Sequence, residues 1–230
     1  MDLPLKEVAD PGIGQTRLSD HPNWSYLLRD IYELYRFSSA GGSQRIRSHM
    51  RRVRAAVSRL VKADPPMSAK MFESKPAVKH LNRALDVDAT GRLATVVQGI
   101  DRIRDSLTWQ YGYDKVPAGL AKRYCFAELC GPYARVPCTE VTLGLVLFAP
   151  GCSYPAHAHL GISESYICLS GAVSENHQGV YAPGSLIFNP PEHMHRITVS
   201  DLEPALLLYA WEGCESALAD QKMRLGAPHR

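Results

Sequence analysis

The sequence predicts an α+β chain, with a helical N-terminal region over residues 1–115 and a mainly β C-terminal part over residues 116–230 that closes as a sandwich or barrel. Two observations carry this. Apolar residues recur at three-four spacing through the first half, the period of a helix with one buried stripe. After Val116-Pro117 the pattern becomes short apolar runs broken by Gly and Pro, which reads as strands joined by turns.

Trp24, Leu27, Leu28, Ile31 and Tyr35 make the first helical stripe. A Gly41-Gly42 break follows. Ile46, Met50, Val53, Val57, Leu60 and Val61 then keep the period up to the Asp64-Pro65-Pro66 stop, while Arg45, Arg47, Arg51, Arg52, Arg54, Arg59 and Lys62 fill the other positions. This is an amphipathic basic helix, with nucleic acid, anionic lipid or an acidic surface as its functional readings and a solvated face as its ordinary one. Leu93, Val96, Val97, Ile100, Ile103 and Leu107 give a third helix, and Tyr111 to Gly119 is the connector into the β part. The strand candidates are Glu140–Phe148, Ser165–Leu169, Ser185–Phe188 and Ala205–Tyr209, and several such strands without helical periods between them argue for an all-β sandwich or barrel.

Composition excludes several function classes. At 230 residues, with 45% hydrophobic and 21% charged residues, the chain has ordinary globular composition, and a net charge of +3 is too small to imply a nucleic-acid partner. The opening MDLPLKEVADPG carries no basic segment followed by an apolar run, and no window approaches the roughly 20 apolar residues of a spanning helix, so a soluble cytoplasmic protein without a membrane partner is expected. Six cysteines, none in a CxxC pair, read as reduced thiols.

The chemistry concentrates in GCSYPAHAHLGISESY, Gly151 to Tyr166. Residues i and i+2 of a strand share a face, so His157 and His159 can hold one cation; Glu164, after a short turn, can fold back toward them. Gly151, five residues, His157, one residue, His159, four residues, Glu164, six residues and Gly171 make one spacing pattern. Gly184, five residues, Pro190, one residue, Glu192, two residues and His195 make another. The first resembles the first cupin motif at every defined position; the second resembles the second cupin motif with Glu192 in place of its usual Gly and Val199 in place of its terminal Asn.

The resemblance covers the chain from about residue 140 onward and implies a double-sheet jelly-roll barrel with a site in its mouth. His157, His159, Glu164 and His195 would hold one divalent transition metal ion, with Zn, Mn and Fe all suited to three imidazoles and a carboxylate. Spacing from Gly184 favours His195 over His193, which is left as a turn or supporting residue. His177 reads as an exposed hairpin tip, and His21, His49, His80 and His229 receive no role.

Tyr154 stands three residues before His157 and Tyr166 two after Glu164. Tyr-x-x-His-x-His, then Glu-x-Tyr, then a distal His, is similar to the site of the cupin-type dimethylsulfoniopropionate lyases, and the helical extension makes the DddL type the more similar. That likeness implies a carbon–sulfur lyase releasing dimethyl sulfide and acrylate, with Tyr166 as base and Tyr154 supporting it or binding substrate. Tyr209, Trp211, Phe188 and Tyr181 are candidates for an aromatic wall around the sulfonium, with core packing as the alternative for each. Cys152 and Cys168 are assigned to barrel packing. An iron-dependent cupin dioxygenase acting on a small substrate and a non-enzymatic cupin sensor are the competing readings, since a cupin motif alone fixes no reaction. The helical half is open between a cover for the barrel mouth and a homodimer interface.

Overall fold

The computed structural model describes residues 16–37, 42–69, 72–112 and 115–226; the opening twelve residues, Gly41 of the glycine break, two residues of the 111–119 connector and His229 lie outside them. The three expected helices form as α1 (Pro22–Phe37), α2 (Gln44–Ala63) and α4 (Gly91–Ile103), with a short α3 (Leu81–Leu85) between the last two. Ser43 caps α2 through its hydroxyl, which accepts from the Ile46 amide at 3.3 Å. At the other end Asp64 takes a left-handed backbone, φ 45°, and stops the helix before the two prolines.

After α5 (Ala118–Ala121) come β1 (Tyr124–Gly131), β2 (Val136–Pro137), β3 (Thr142–Phe148), β4 (Ser153–His159), β5 (Ile162–Ser170), β6 (Val173–Glu175), β7 (Leu186–Asn189), β8 (His195–Val199) and β9 (Ala205–Gly213), then α6 (Glu215–Asp220) and β10 (Met223–Leu225). They build two sheets, one of order β2-β1-β3-β9-β5-β7 and one of order β10-β4-β8-β6. Apart from the short parallel β1–β2 pair, every strand pairing described within these two sheets is antiparallel. This is the two-sheet jelly roll that the cupin motifs imply, with a helical N-terminal part against it.

The larger sheet is buried on both faces, which is why its strands read as continuous apolar runs. Cys125, Ala127, Leu129, Leu143, Leu145, Leu147, Ile167, Leu206 and Leu208 turn outward and pack in one cluster with Leu27, Leu28, Ile31, Val53, Val57, Val96 and Ile100 of the helices. The alternate residues, among them Tyr124, Phe126, Val146, Tyr166, Leu207, Tyr209 and Trp211, turn inward to the second sheet. The helical half therefore covers the back of the barrel wall, each fully buried Leu or Ile contributing about 1.5–3 kcal/mol. Gln110 pairs with the edge of β1 through Phe126 at 2.8 and 3.0 Å.

The basic face of α2 is partly engaged with the barrel. Arg52 Nε lies 2.8 Å from Glu212 Oε1 and Arg59 Nε 2.8 Å from Glu140 Oε2. Among the described residues no helix is long and apolar enough to cross a membrane. Five cysteines are buried and all six are free, and burial pushes Cys152 to about 11 and Cys168 to about 12, which leaves both as packing groups.

Candidate metal centre

His157 and His159 come from β4, Glu164 from β5 and His195 from the start of β8, so three strands of two facing sheets supply the four side chains. All four are at most 3% exposed. Their ligand atoms lie within 4.8 Å of one another, close to the spread that bonds of about 2.0–2.2 Å permit around one ion. Directly opposed across the β4–β8 pair, His157 and His195 have ring centroids 4.1 Å apart.

Each of these two imidazoles is oriented by a carbonyl two residues earlier. Nδ1 of His157 is 2.9 Å from the Pro155 oxygen and Nδ1 of His195 is 3.0 Å from the His193 oxygen. With Nδ1 donating, Nε2 is left as the ligating atom. His193 itself is exposed and contributes only that carbonyl.

A regular strand would point Tyr154 and His157 to opposite faces. β4 instead shifts register against β8 between these residues, with Tyr154 opposite Ile197 and His157 opposite His195. The extra residue is a bulge, and it turns Tyr154, His157 and His159 all inward. Pro155, which could not donate to a regular ladder, falls inside it.

Glu164 is fixed from its neighbouring strand. Trp211, its cross-strand partner on β9, donates from Nε1 to Glu164 Oε1 at 2.7 Å. The same carboxylate approaches His159 Nε2 at 3.4 Å and His195 Nε2 at 2.9 Å. Those contacts lack hydrogen-bond alignment, so Nε2 of His159, Nε2 of His195 and Oε2 of Glu164 stay buried without partners. Buried polar atoms are rarely left so, and three imidazoles with one carboxylate converging on one point fit a divalent transition metal ion.

The electrostatics of His157 and Glu164 suit ligands, which must be deprotonated to bind a metal. Burial, then His195, pushes His157 down to about 3, which keeps the ring neutral and able to coordinate. Burial opposes charge on Glu164, but His159 and His195 hold its carboxyl well below the usual range; His195 is raised in turn, Glu164 outweighing burial. For Tyr166, burial and then Glu164 hold the phenol well above its usual range.

His157, His159 and Glu164 of the quartet open into a cavity of about 330 Å³ walled by Tyr124, Phe126, Tyr154, Tyr166, Tyr209 and Trp211. Tyr154 packs its ring edge-on to His157, centroids 4.8 Å apart, and donates to Tyr124 at 3.2 Å. Tyr209 and Trp211 are 5.0 Å apart, with Trp211 4.6 Å from His159. Of the expected aromatic wall, Phe188 is a correction: it shares the outward row of β7 with Leu186, opposite Ser165, and packs on His49 at 5.1 Å instead of lining the cavity. Period-two alternation decides this, since its neighbours Ile187 and Asn189 take the inner face. Tyr181 also stays off the cavity, in an isolated bridge to Val173, and His177 is an exposed hairpin residue at φ 59°.

Sequence reasoning missed several cavity residues. Tyr124, Phe126 and Glu128 belong to a strand it did not assign, where the single Glu in the apolar run YCFAELC was the available signal. Gln221 and Met223 reach the cavity from the C-terminal segment, whose only cue is its place in the fold. His49, given no role, is fully buried behind the site: its Nε2 lies 2.8 Å from the Ser165 hydroxyl, which Tyr35 also meets at 2.9 Å.

Comparison with known proteins gives the family. The dimethylsulfoniopropionate lyase family model matches residues 49–207. A protein of Cereibacter sphaeroides named "Putative dimethylsulfoniopropionate lyase DddL" is 45% identical over 218 residues, covering 95% of this chain and 94% of that one. Two solved structures share the fold. One, titled for the DMSP lyases RdDddP and RnDddQII, has a TM-score of 0.67 at 19% identity over 90% of this chain and 98% of its own. The other, DMSP lyase DddQ from Ruegeria pomeroyi DSS-3, has a TM-score of 0.65 at 17% identity over 91% and 98%. The chain belongs to the dimethylsulfoniopropionate lyase family, and with it to the carbon–sulfur lyases.

Proposed function

We propose that this protein is a cytoplasmic, metal-dependent lyase that cleaves dimethylsulfoniopropionate into dimethyl sulfide and acrylate by base-catalysed β-elimination. The observation that carries this reading is a buried His157–His159–Glu164–His195 quartet, three of whose members line one cavity with Tyr166. Family membership supports the substrate.

The substrate has a carboxylate at one end and a dimethylsulfonium at the other. His157, His159, Glu164 and His195 would hold a divalent cation, which would supply Lewis acidity to offset the carboxylate's charge and would lower the pKa of the nearby phenol. Tyr166, as phenolate, takes the proton from the carbon next to the carboxylate. The C–H electron pair becomes the new C=C bond, the C–S bond breaks, and the sulfur leaves with its electrons as neutral dimethyl sulfide. No general acid is required. Burial and the Glu164 carboxylate, which hold the Tyr166 phenol high, make it a strong base once deprotonated. Tyr154 supports the His157 ring and walls the substrate, while Trp211 holds Glu164 and, with Tyr209, offers aromatic faces to the sulfonium.

The test is an anaerobic headspace assay on protein loaded with defined metals. Dimethyl sulfide and acrylate are expected in equal amounts without oxygen; an absolute oxygen requirement would overturn the elimination and favour an iron dioxygenase. Tyr166→Phe is expected to lower kcat by about 100-fold or more with metal content unchanged, and retained turnover would remove Tyr166 from the base role.

A further inference from the structure

One row of residues crosses the inner face of the larger sheet. Glu128 on β1 is paired with Gly144 on β3, Gly144 with Tyr209 on β9, and Tyr209 with Tyr166 on β5. Gly144 is the gap in that row. A Cβ there would stand 2.5 Å from Cε1 and Cζ of Tyr209 and 2.5 Å from the Ala127 carbonyl, so the Tyr209 ring lies across Gly144 toward the strand that carries Glu128. The Tyr209 side chain is 1% exposed, lines the cavity, and its hydroxyl has no hydrogen-bond partner. Glu128, 8% exposed, lines the same cavity and accepts from Gln221 Nε2 at 2.8 Å. Phe126 meets the Tyr209 ring edge-on at 6.4 Å.

A buried carboxylate beside aromatic faces is chemistry for a weakly hydrated cation with no N–H to donate. Glu128 is three strands from Glu164 in the sheet order, roughly 14 Å at about 4.8 Å per strand. The cavity thus has the candidate cation site at one end and the Glu128 carboxyl group at the other, matching in reverse the two charges of a carboxylate-bearing onium.

We infer that Glu128 is the counter-ion for the positive end of the substrate and that, with Tyr209, it makes the cavity select a carboxylate bearing a sulfonium or quaternary ammonium group over a neutral carboxylate of the same shape. This deepens the lyase reading and rests on it for the placement of the substrate.

The test compares two carboxylates of equal shape, 3-(trimethylammonio)propionate and 4,4-dimethylpentanoate, by calorimetric titration into the metal-loaded protein. The wild type is expected to bind the cation more tightly. E128Q is expected to lower that preference by about tenfold or more, with affinity for the neutral compound nearly unchanged, and E128D to keep most of it. A preference that survives E128Q overturns the inference and leaves the lyase reading intact. A preference that depends on Glu128 in a protein releasing no dimethyl sulfide upholds the subsite and overturns the reaction. Should E128Q not fold, the wild-type pair decides, because equal or tighter binding of the neutral compound overturns the inference without any variant.

Discussion

His157 and His195 face one another across the β4–β8 pair with their Nε2 atoms turned to one point, and each is aimed by a backbone carbonyl behind it. Removing one leaves an open position among three remaining ligands. His195→Ala is therefore expected to lose bound metal and turnover together, with metal content by plasma emission as the check; a metal-replete but inactive variant would contradict its place in the quartet. Glu192 makes the opposite case. It occupies φ 65°, the left-handed region, at the position where the second cupin motif usually carries Gly. A side chain there costs about 1–2 kcal/mol, and Gly gives back part of that through its unfolded-state freedom. Glu192→Gly should raise stability by about 0.5–1 kcal/mol without changing kcat, measured by urea unfolding beside the lyase assay, and a destabilised variant would refute the strain.

At the scale of elements, α2 does more than cover the sheet. His49 crosses from the helix to the outward face of β5, where its Nε2 meets Ser165 at 2.8 Å, between Glu164 and Tyr166 in sequence. Tyr35 of α1 closes the same hydroxyl from the other side at 2.9 Å. Two helices thus grip the one strand that carries both a proposed ligand and the proposed base. His49→Ala leaves a cavity and a hydroxyl short of a partner, and is expected to cost about 2–4 kcal/mol, seen as a lower urea midpoint; a loss within about 0.5 kcal/mol would show that the grip is unimportant. The helical periodicity of this segment was legible from Ile46, Met50, Val53 and Val57 alone. His49 was not, because its partners lie 116 and 163 residues away in sequence, on strands whose register is set only in the folded chain.

For the molecule as a whole, the joint between helices and barrel includes a charge network that responds to acid. His49, whose Nδ1 lies 3.7 Å from the Glu212 carboxylate, and Arg52 at 2.8 Å work against burial and hold Glu212 down to about 2. A carboxyl depressed in the folded state contributes stability above its unfolded pKa of about 4.5, and that contribution is lost as pH falls toward 2. Wild type is expected to lose stability more steeply than Glu212→Gln between these two pH values, so that their melting temperatures converge in acid; parallel curves would remove Glu212 from the network.

Local pattern determined much of this protein. Three-four apolar spacing set the helices, glycine-framed runs set four strands within a few residues, and the two histidine-bearing motifs named the four side chains that meet in the core. The helices and strands are encoded within a turn or a strand, where neighbours in sequence are neighbours in space, whereas the pairing of His195 with the first motif came from the cupin resemblance. The tertiary structure alone decided which face each strand turns inward: a bulge brings Tyr154 in beside His157, and alternation on β7 sends Phe188 out to the helices. Cross-strand register alone put Trp211 on Glu164 and ranged Glu128 with Tyr209 and Tyr166 in one row. The physical reason is that a side chain's face depends on parity and register, which one inserted residue reverses, and register is chosen by packing two faces of a whole sheet at once.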